Sequence, residues 1–156
     1  MPDWAVPPHA QDPEDAVAEL FASLPVYEAV TQGVRVQVQV FWLPDQSEPD
    51  EHTYCWAYRI RIGNDGSEPV QLLERTWHIT DTRGRTEHVH GPGVVGEQPV
   101  IQPGTQFEYT SGASLPTPGG FMHGAFHMRR GTDGARFDAT IPPFSLDSPF
   151  LHHQIH

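Results

Sequence analysis

The chain has 156 residues and a formal net charge of −11, from 20 acidic and 9 basic side chains, and every basic one is arginine. With no lysine, phosphate binding by a Walker lysine, Schiff-base chemistry and lysine general bases are excluded, and the negative field disfavours nucleic acid and anionic membranes as partners. The single Cys55 cannot form an internal disulfide, the N-terminus lacks the basic and long apolar regions of a secretory signal, and no run approaches 18 apolar residues. The expectation is therefore a cytoplasmic protein of one domain with no bilayer span.

Residues 1–26 form an acidic N-terminal extension. Within it, Asp12-Pro13-Glu14-Asp15 reads as a helix start, with an N-cap, a proline at the first helical position and two acids on the positive end of the dipole. Val17, Leu20, Phe21 and Leu24 follow at helical spacing up to Pro25, which predicts one short amphipathic helix, either folded back onto the domain or laid in a partner's groove.

From Tyr27 the periodicity changes to two. Val34, Val36, Val38 and Val40 share one face opposite Arg35, Gln37 and Gln39, residues 44–52 are a polar acidic loop, and Tyr54, Trp56, Tyr58, Ile60 and Ile62 line a second strand. Asn64-Asp65-Gly66 reads as a turn. Further strands are predicted over about 70–81, 86–90, 106–110, 121–129 and 136–141, with turns at Arg83-Gly84 and at 131–134. Seven or so short strands, 14 glycines, 16 prolines and no crossover helices predict an all-β fold, an antiparallel sandwich of immunoglobulin or fibronectin type III kind over residues 27–150. Residues 151–156 are a histidine-rich tail.

Gly91-Pro92-Gly93-Val94-Val95-Gly96 matches G-x-G-x-x-G, but Pro99 and Pro103 follow, so no helix can open there and a dinucleotide site is excluded. What survives is an inter-strand loop, or an anion-binding nest of backbone N–H groups. His88 and His90, two apart on a strand, share a face and are candidate metal ligands. His123 and His127 also share a face, about 13 Å apart, too far for one ion without a bend. No set has the closed spacing of a structural zinc site. Catalytic groupings are poor: Ser111 is not in a nucleophile elbow, and Cys55 lies mid-strand.

Three segments, 71–81, 89–99 and 101–112, resemble the ApaG domain in order and spacing. Pro118-x-Gly120, Met122-x-Gly124 and the closing Ile141-Pro142-Pro143-Phe144-Ser145-Leu146 extend the likeness over about 32–150. The resemblance implies a fibronectin-type-III-like sandwich, a link to cobalt resistance and magnesium efflux, and a role as a protein-interaction module without an established activity. The expected function is non-enzymatic recognition of a protein partner or a small anion, with no cofactor. The candidate loop comprises Gly91, Gly93, Val94, Val95, Gly96, Thr110, Ser111 and Gly112. Two alternatives are a regulator that binds divalent metal directly and an enzyme acting on a phosphorylated or pyrophosphate substrate at that loop. A homodimer through a sheet edge is an ordinary assembly for such a fold.

Overall fold

The computed structural model describes residue 19 and residues 21–131 and 133–151. Nine strands follow in chain order: β1 Tyr27–Thr31, β2 Val34–Trp42, β3 Tyr54–Asn64, β4 Val70–Asp81, β5 Thr86–Pro92, β6 Val100–Ile101, β7 Gln106–Leu115, β8 Gly120–Arg130 and β9 Arg136–Leu146. They form two antiparallel sheets, one in the order β1-β2-β3-β7 and the other β5-β4-β8-β9, with β6 paired to β4. This is the expected immunoglobulin-like sandwich. Among the described residues no helix is long and apolar enough to cross a membrane.

The period-two pattern sets the inner faces. Val34, Val36, Val38, Trp56, Ile60 and Ile62 of the first sheet meet Leu72, Trp77, Phe126, Met128, Ile141 and Leu146 of the second, all buried. Each such side chain contributes about 1.5–3 kcal/mol when fully withdrawn from water. At the centre Tyr58, Trp77 and Phe144 pack edge-on, with ring centroids 5.6 Å (Tyr58 to Trp77) and 5.9 Å (Trp77 to Phe144) apart.

Two irregularities depart from simple alternation. On β4 the register to β8 slips between Leu72 and Glu74, so Leu73 is an extra, unpaired residue. Alternation from buried Val70 and Leu72 would turn Glu74, Thr76 and His78 inward. The bulge instead turns Arg75, Trp77 and Ile79 to the inside and those three outward. On β9 a second slip, opposite Met122 to Gly124 of β8, absorbs Pro142 and Pro143, so the strand runs on to Leu146 beyond the predicted end at 141. Strand β7 likewise runs five residues past its predicted end, and the turn joining β1 to β2, Gln32-Gly33 with both φ positive (48° and 82°), is a two-residue hairpin that the sequence reading did not mark.

Among the described residues the two sheets are tied together along one side. There the Thr140 N–H donates to Thr31 Oγ1 at 3.1 Å, and Arg130 Nη2 to Gln32 Oε1 at 2.8 Å, tying β1 to β9 and to the end of β8. Most of the predicted N-terminal helix lies outside the described residues. Its end is helical at Phe21 and Ala22, with Phe21 1% exposed against Phe41 and beneath the Arg59 guanidinium. The Gln39 amide donates to the Phe21 and Leu24 carbonyls, so this end of the extension is folded back on the outer face of β2 and β3.

β8 is held against β4 through a glycine. A Cβ on Gly124 would lie 2.0 Å from the Thr76 carbonyl oxygen, a backbone atom that cannot yield. Gly124→Ala should therefore destabilise by about 1–3 kcal/mol, as overpacking does. Thermal or urea unfolding beside wild type checks this.

Candidate functional site

The side opposite the Thr31–Thr140 seam is open. Among the described residues strand β7 pairs only with β3, and β5 only with β4, so two edges left unpaired by them border a groove of about 530 Å³. Tyr58, Arg75, Trp77 and Tyr109 line its interior, Val89 and Ile79 form one wall, and Ser111 to Ser114 the other. Val94, Val95 and Gly96 cover one end.

The glycine-rich segment is no long loop. Val94 and Glu97 exchange backbone hydrogen bonds of 2.8 Å around Val95-Gly96, a two-residue turn with φ of 43° and 80°. Gly93 is obligatory, because a Cβ there would lie 2.1 Å from the Glu97 carbonyl oxygen. The β4 bulge anchors this hairpin: the Leu73 carbonyl accepts from the Gly93 N–H at 2.9 Å and from Gln98 Nε2 at 2.8 Å. Since Gly93, Val94 and Glu97 spend their N–H groups inside the fold, attraction of charge in the groove falls to Arg75 rather than to a backbone nest. Arg75 Nη1 donates to the carbonyls of Pro92 (3.1 Å) and Gly93 (2.8 Å), lying across Gly91, whose missing side chain makes the room.

Two features of the groove cost stability. Val95 is β-branched, left-handed and 54% exposed at the mouth, where glycine or asparagine would sit without strain. Tyr109 is 7% exposed and its buried hydroxyl has no hydrogen-bond partner among the described residues. Burial pushes the pKa of both Tyr58 and Tyr109 up. The Ser111 hydrogen bond and the Arg75 charge pull Tyr58 back in part, while the neighbouring Tyr58 pushes Tyr109 further.

Of the loop and strand residues predicted as a site, Val94, Val95, Gly96, Ser111 and Gly112 line the groove. Gly91 and Gly93 lie behind it, and Thr110 is exposed on the outer face, opposite Arg59. Tyr58 and Arg75 were not singled out by sequence. Nor was Tyr109, because a burial pattern does not reveal an unpartnered hydroxyl.

The outer face of the second sheet carries His78, His88, His90, His123 and His127. Thr76 Oγ1 lies 2.9 Å from His90 Nδ1 and 2.7 Å from His127 Nε2, while His90 Nε2 meets Glu74 at 2.8 Å and His127 Nδ1 meets Asp138 at 2.7 Å. Asp138, His127 and Thr76 thus stand in the order of an acyl-transfer triad. However, β4 is paired on both sides, so the backbone N–H groups beside Thr76 are committed to the ladders to β5 and β8 and supply no oxyanion hole. The chain of contacts ties four strands together. Among the described residues no group of three His, Cys, Asp or Glu side chains already stands converged on a metal position. His88 and His90 share a face as expected but turn to different neighbours, and His78, which joins His88, was missed. The turn at Arg83-Gly84 could have placed it, since a hairpin centred there puts residue 78 opposite residue 88.

Fold and groove together define a single antiparallel β-sandwich domain with one open side. The ApaG domain model matches residues 44–130. Protein ApaG of Maricaulis maris is 60% identical over 124 residues, 80% of this chain and 95% of the relative, and that of Paramagnetospirillum magneticum is 55% identical over the same shares. The crystal structure of the putative ApaA protein from Bordetella pertussis superposes with a TM-score of 0.72 at 43% identity, covering 80% of this chain and 98% of the other. The chain belongs to the ApaG family.

Two outcomes are expected here. Thr76→Val leaves two imidazole nitrogens without their shared partner and should cost about 1 kcal/mol, read by urea unfolding. Raised folded-state pKa values at Tyr58 and Tyr109 contribute stability that is fully present below the ordinary tyrosine value of 10.0 and lost as pH climbs past it. Tyrosinate absorption from these two should therefore emerge only together with alkaline unfolding.

Proposed function

We propose that this domain is a binding module rather than an enzyme, and that its groove takes an extended segment of a protein partner added to the free edge of β7. The observation that carries this reading is the Tyr109 hydroxyl, buried and, among the described residues, unpaired in the interior of a groove bordered by two strand edges that those residues also leave unpaired. Leaving such a group unsatisfied costs about 1–3 kcal/mol, and a ligand offering an acceptor would offset it. Strand addition suits the site: main-chain hydrogen bonds to β7 supply affinity, and the space over Trp77, Val89 and Ile79 selects alternate side chains. Exposed Val95 is an apolar lip over the entrance. The missing oxyanion donors beside Thr76 favour binding over turnover.

A second reading, a small anion held in the groove, rests on Arg75, the cation of the lining. In it the guanidinium supplies the charge and the tyrosine hydroxyls supply directional donors.

Selection from a displayed library of random linear peptides, followed by NMR titration of the best binder, tests the first reading. Shifts confined to the β7 amides and to residues 94–96 are expected. Val95→Asn, which creates the favoured Asn-Gly turn, should raise Tm by about 2–4 °C and weaken the peptide. Tyr109→Phe should be neutral or stabilising in the free protein and should weaken the peptide about tenfold, the loss of one net hydrogen bond. If no peptide is selected, or if binding is indifferent to both substitutions, the reading fails. Inorganic pyrophosphate titrated in the same experiment, with Arg75→Gln as control, decides the second.

A further inference from the structure

The five imidazoles on the outer face of the second sheet fall into two rows of opposite character. In the row His90–Thr76–His127 every ring nitrogen has a partner, the outer two being carboxylates. In the row His88–His78–His123 the three residues are direct cross-strand partners on β5, β4 and β8. Their rings are in contact, with centroids 4.5 Å apart from His78 to His88 and 4.8 Å from His78 to His123. None of their nitrogens has a hydrogen-bond partner among the described residues. Phe121 stacks on the far side of His123, 6.3 Å between centroids and 17° from parallel.

We propose that His78, His88 and His123 form a binding site for one borderline first-row divalent cation, such as Zn²⁺, Ni²⁺ or Cu²⁺. Metal–imidazole bonds of about 2.0–2.1 Å require ligand nitrogens only a little over 3 Å apart, and rings already in contact meet this by turning about their side-chain torsions. As placed, they do not converge, because His78 and His123 lie 13° from parallel. Rotation of the two outer rings toward the central one is the change that binding supplies. The backbone needs none, since three adjacent paired strands fix the spacing of the Cα atoms.

The ligand set selects the ion. The row contains imidazoles and no carboxylate, and its neighbours on the same face are Thr76, Thr80, Thr86, His90, Phe121 and Ala125, so hard oxygen-seeking Mg²⁺ and Ca²⁺ are excluded. Affinity should follow the first-row order, with Cu²⁺ ahead of Zn²⁺ and Ni²⁺, and Co²⁺ behind. The remaining positions face solvent and are open to water or to a donor from another molecule.

The test uses the full chain with His152, His153 and His156 replaced by alanine, so that the tail does not compete. Zn²⁺ is titrated by calorimetry and Mg²⁺ serves as the contrast. One saturable equivalent of Zn²⁺ is expected at micromolar concentration and none of Mg²⁺. His78→Ala, His88→Ala and His123→Ala should each weaken Zn²⁺ at least about tenfold, while His90→Gln and His127→Gln leave it unchanged. Imidazole nitrogen NMR of the unmutated row, recorded with and without Zn²⁺, gives the same assignment without relying on variants that must fold. Absence of saturable binding, equal loss in the His90 and His127 variants, dependence on fewer than three of the row, or shifts mapping elsewhere would each overturn the site.

Discussion

One extra residue, Leu73, organises both faces of the second sheet. Without the bulge, alternation from Val70 and Leu72 would drive Glu74, Thr76 and His78 into the core and expel Trp77, which packs between Tyr58 and Phe144. A buried carboxylate without a partner would cost several kcal/mol, so this arrangement has no stable counterpart without the slip. The bulge also frees the Leu73 carbonyl from the ladder, and that carbonyl holds Gly93 and Gln98. The glycine-rich hairpin is therefore hung from a defect in the strand beside it. The same slip that turns Arg75 toward the groove turns the histidines toward solvent.

The two faces use polar groups in contrasting ways. Inside the open side, donors are held in surroundings that leave them under-satisfied: an unpartnered tyrosine hydroxyl, and an arginine tied to two loop carbonyls. On the outer face, one row is saturated by Thr76, Glu74 and Asp138, and the next is left bare. Surface ion pairs of the saturated kind contribute little individually, but a chain crossing β5, β4, β8 and β9 joins the strands that carry the bare row. Rigidity in one row is what gives the neighbouring rings a fixed spacing.

Much of this was legible in the sequence. The valine alternation of β2, the aromatic and isoleucine alternation of β3, and the turns around Asn64 and Gly84 led directly to the sandwich. Asn64 also shows what pattern reading leaves out: beyond turning the chain, its buried side chain donates to the Glu68 and Ile101 carbonyls and accepts from the Gly66 N–H, fixing β6 beside β4. The Leu73 bulge carries no glycine or proline. Its one trace is that buried Leu72 and buried Trp77 lie an odd number apart, which a strict period of two forbids. The groove was half visible: Val94 to Gly96 come from a recognisable motif, whereas Arg75 depends on the slip and Tyr58 on its meeting Ser111 across paired strands. Read as a nest, the glycines are open donors. In the folded chain three of the segment's N–H groups close the hairpin or bind Leu73.

The seam formed by Thr31 and Thr140 bears on how such a domain could assemble. Runaway strand addition, the route to filaments, needs an accepting edge at each end of a sheet so that every new copy offers a fresh one. Here the β1 edge is partly covered where the Thr140 N–H binds Thr31 Oγ1, so strand addition favours the side bordered by β5 and β7. Copies adding strands through that side use up the surface on which the next would grow. The covered seam thus disfavours runaway growth while leaving the domain a sticky border on its other side.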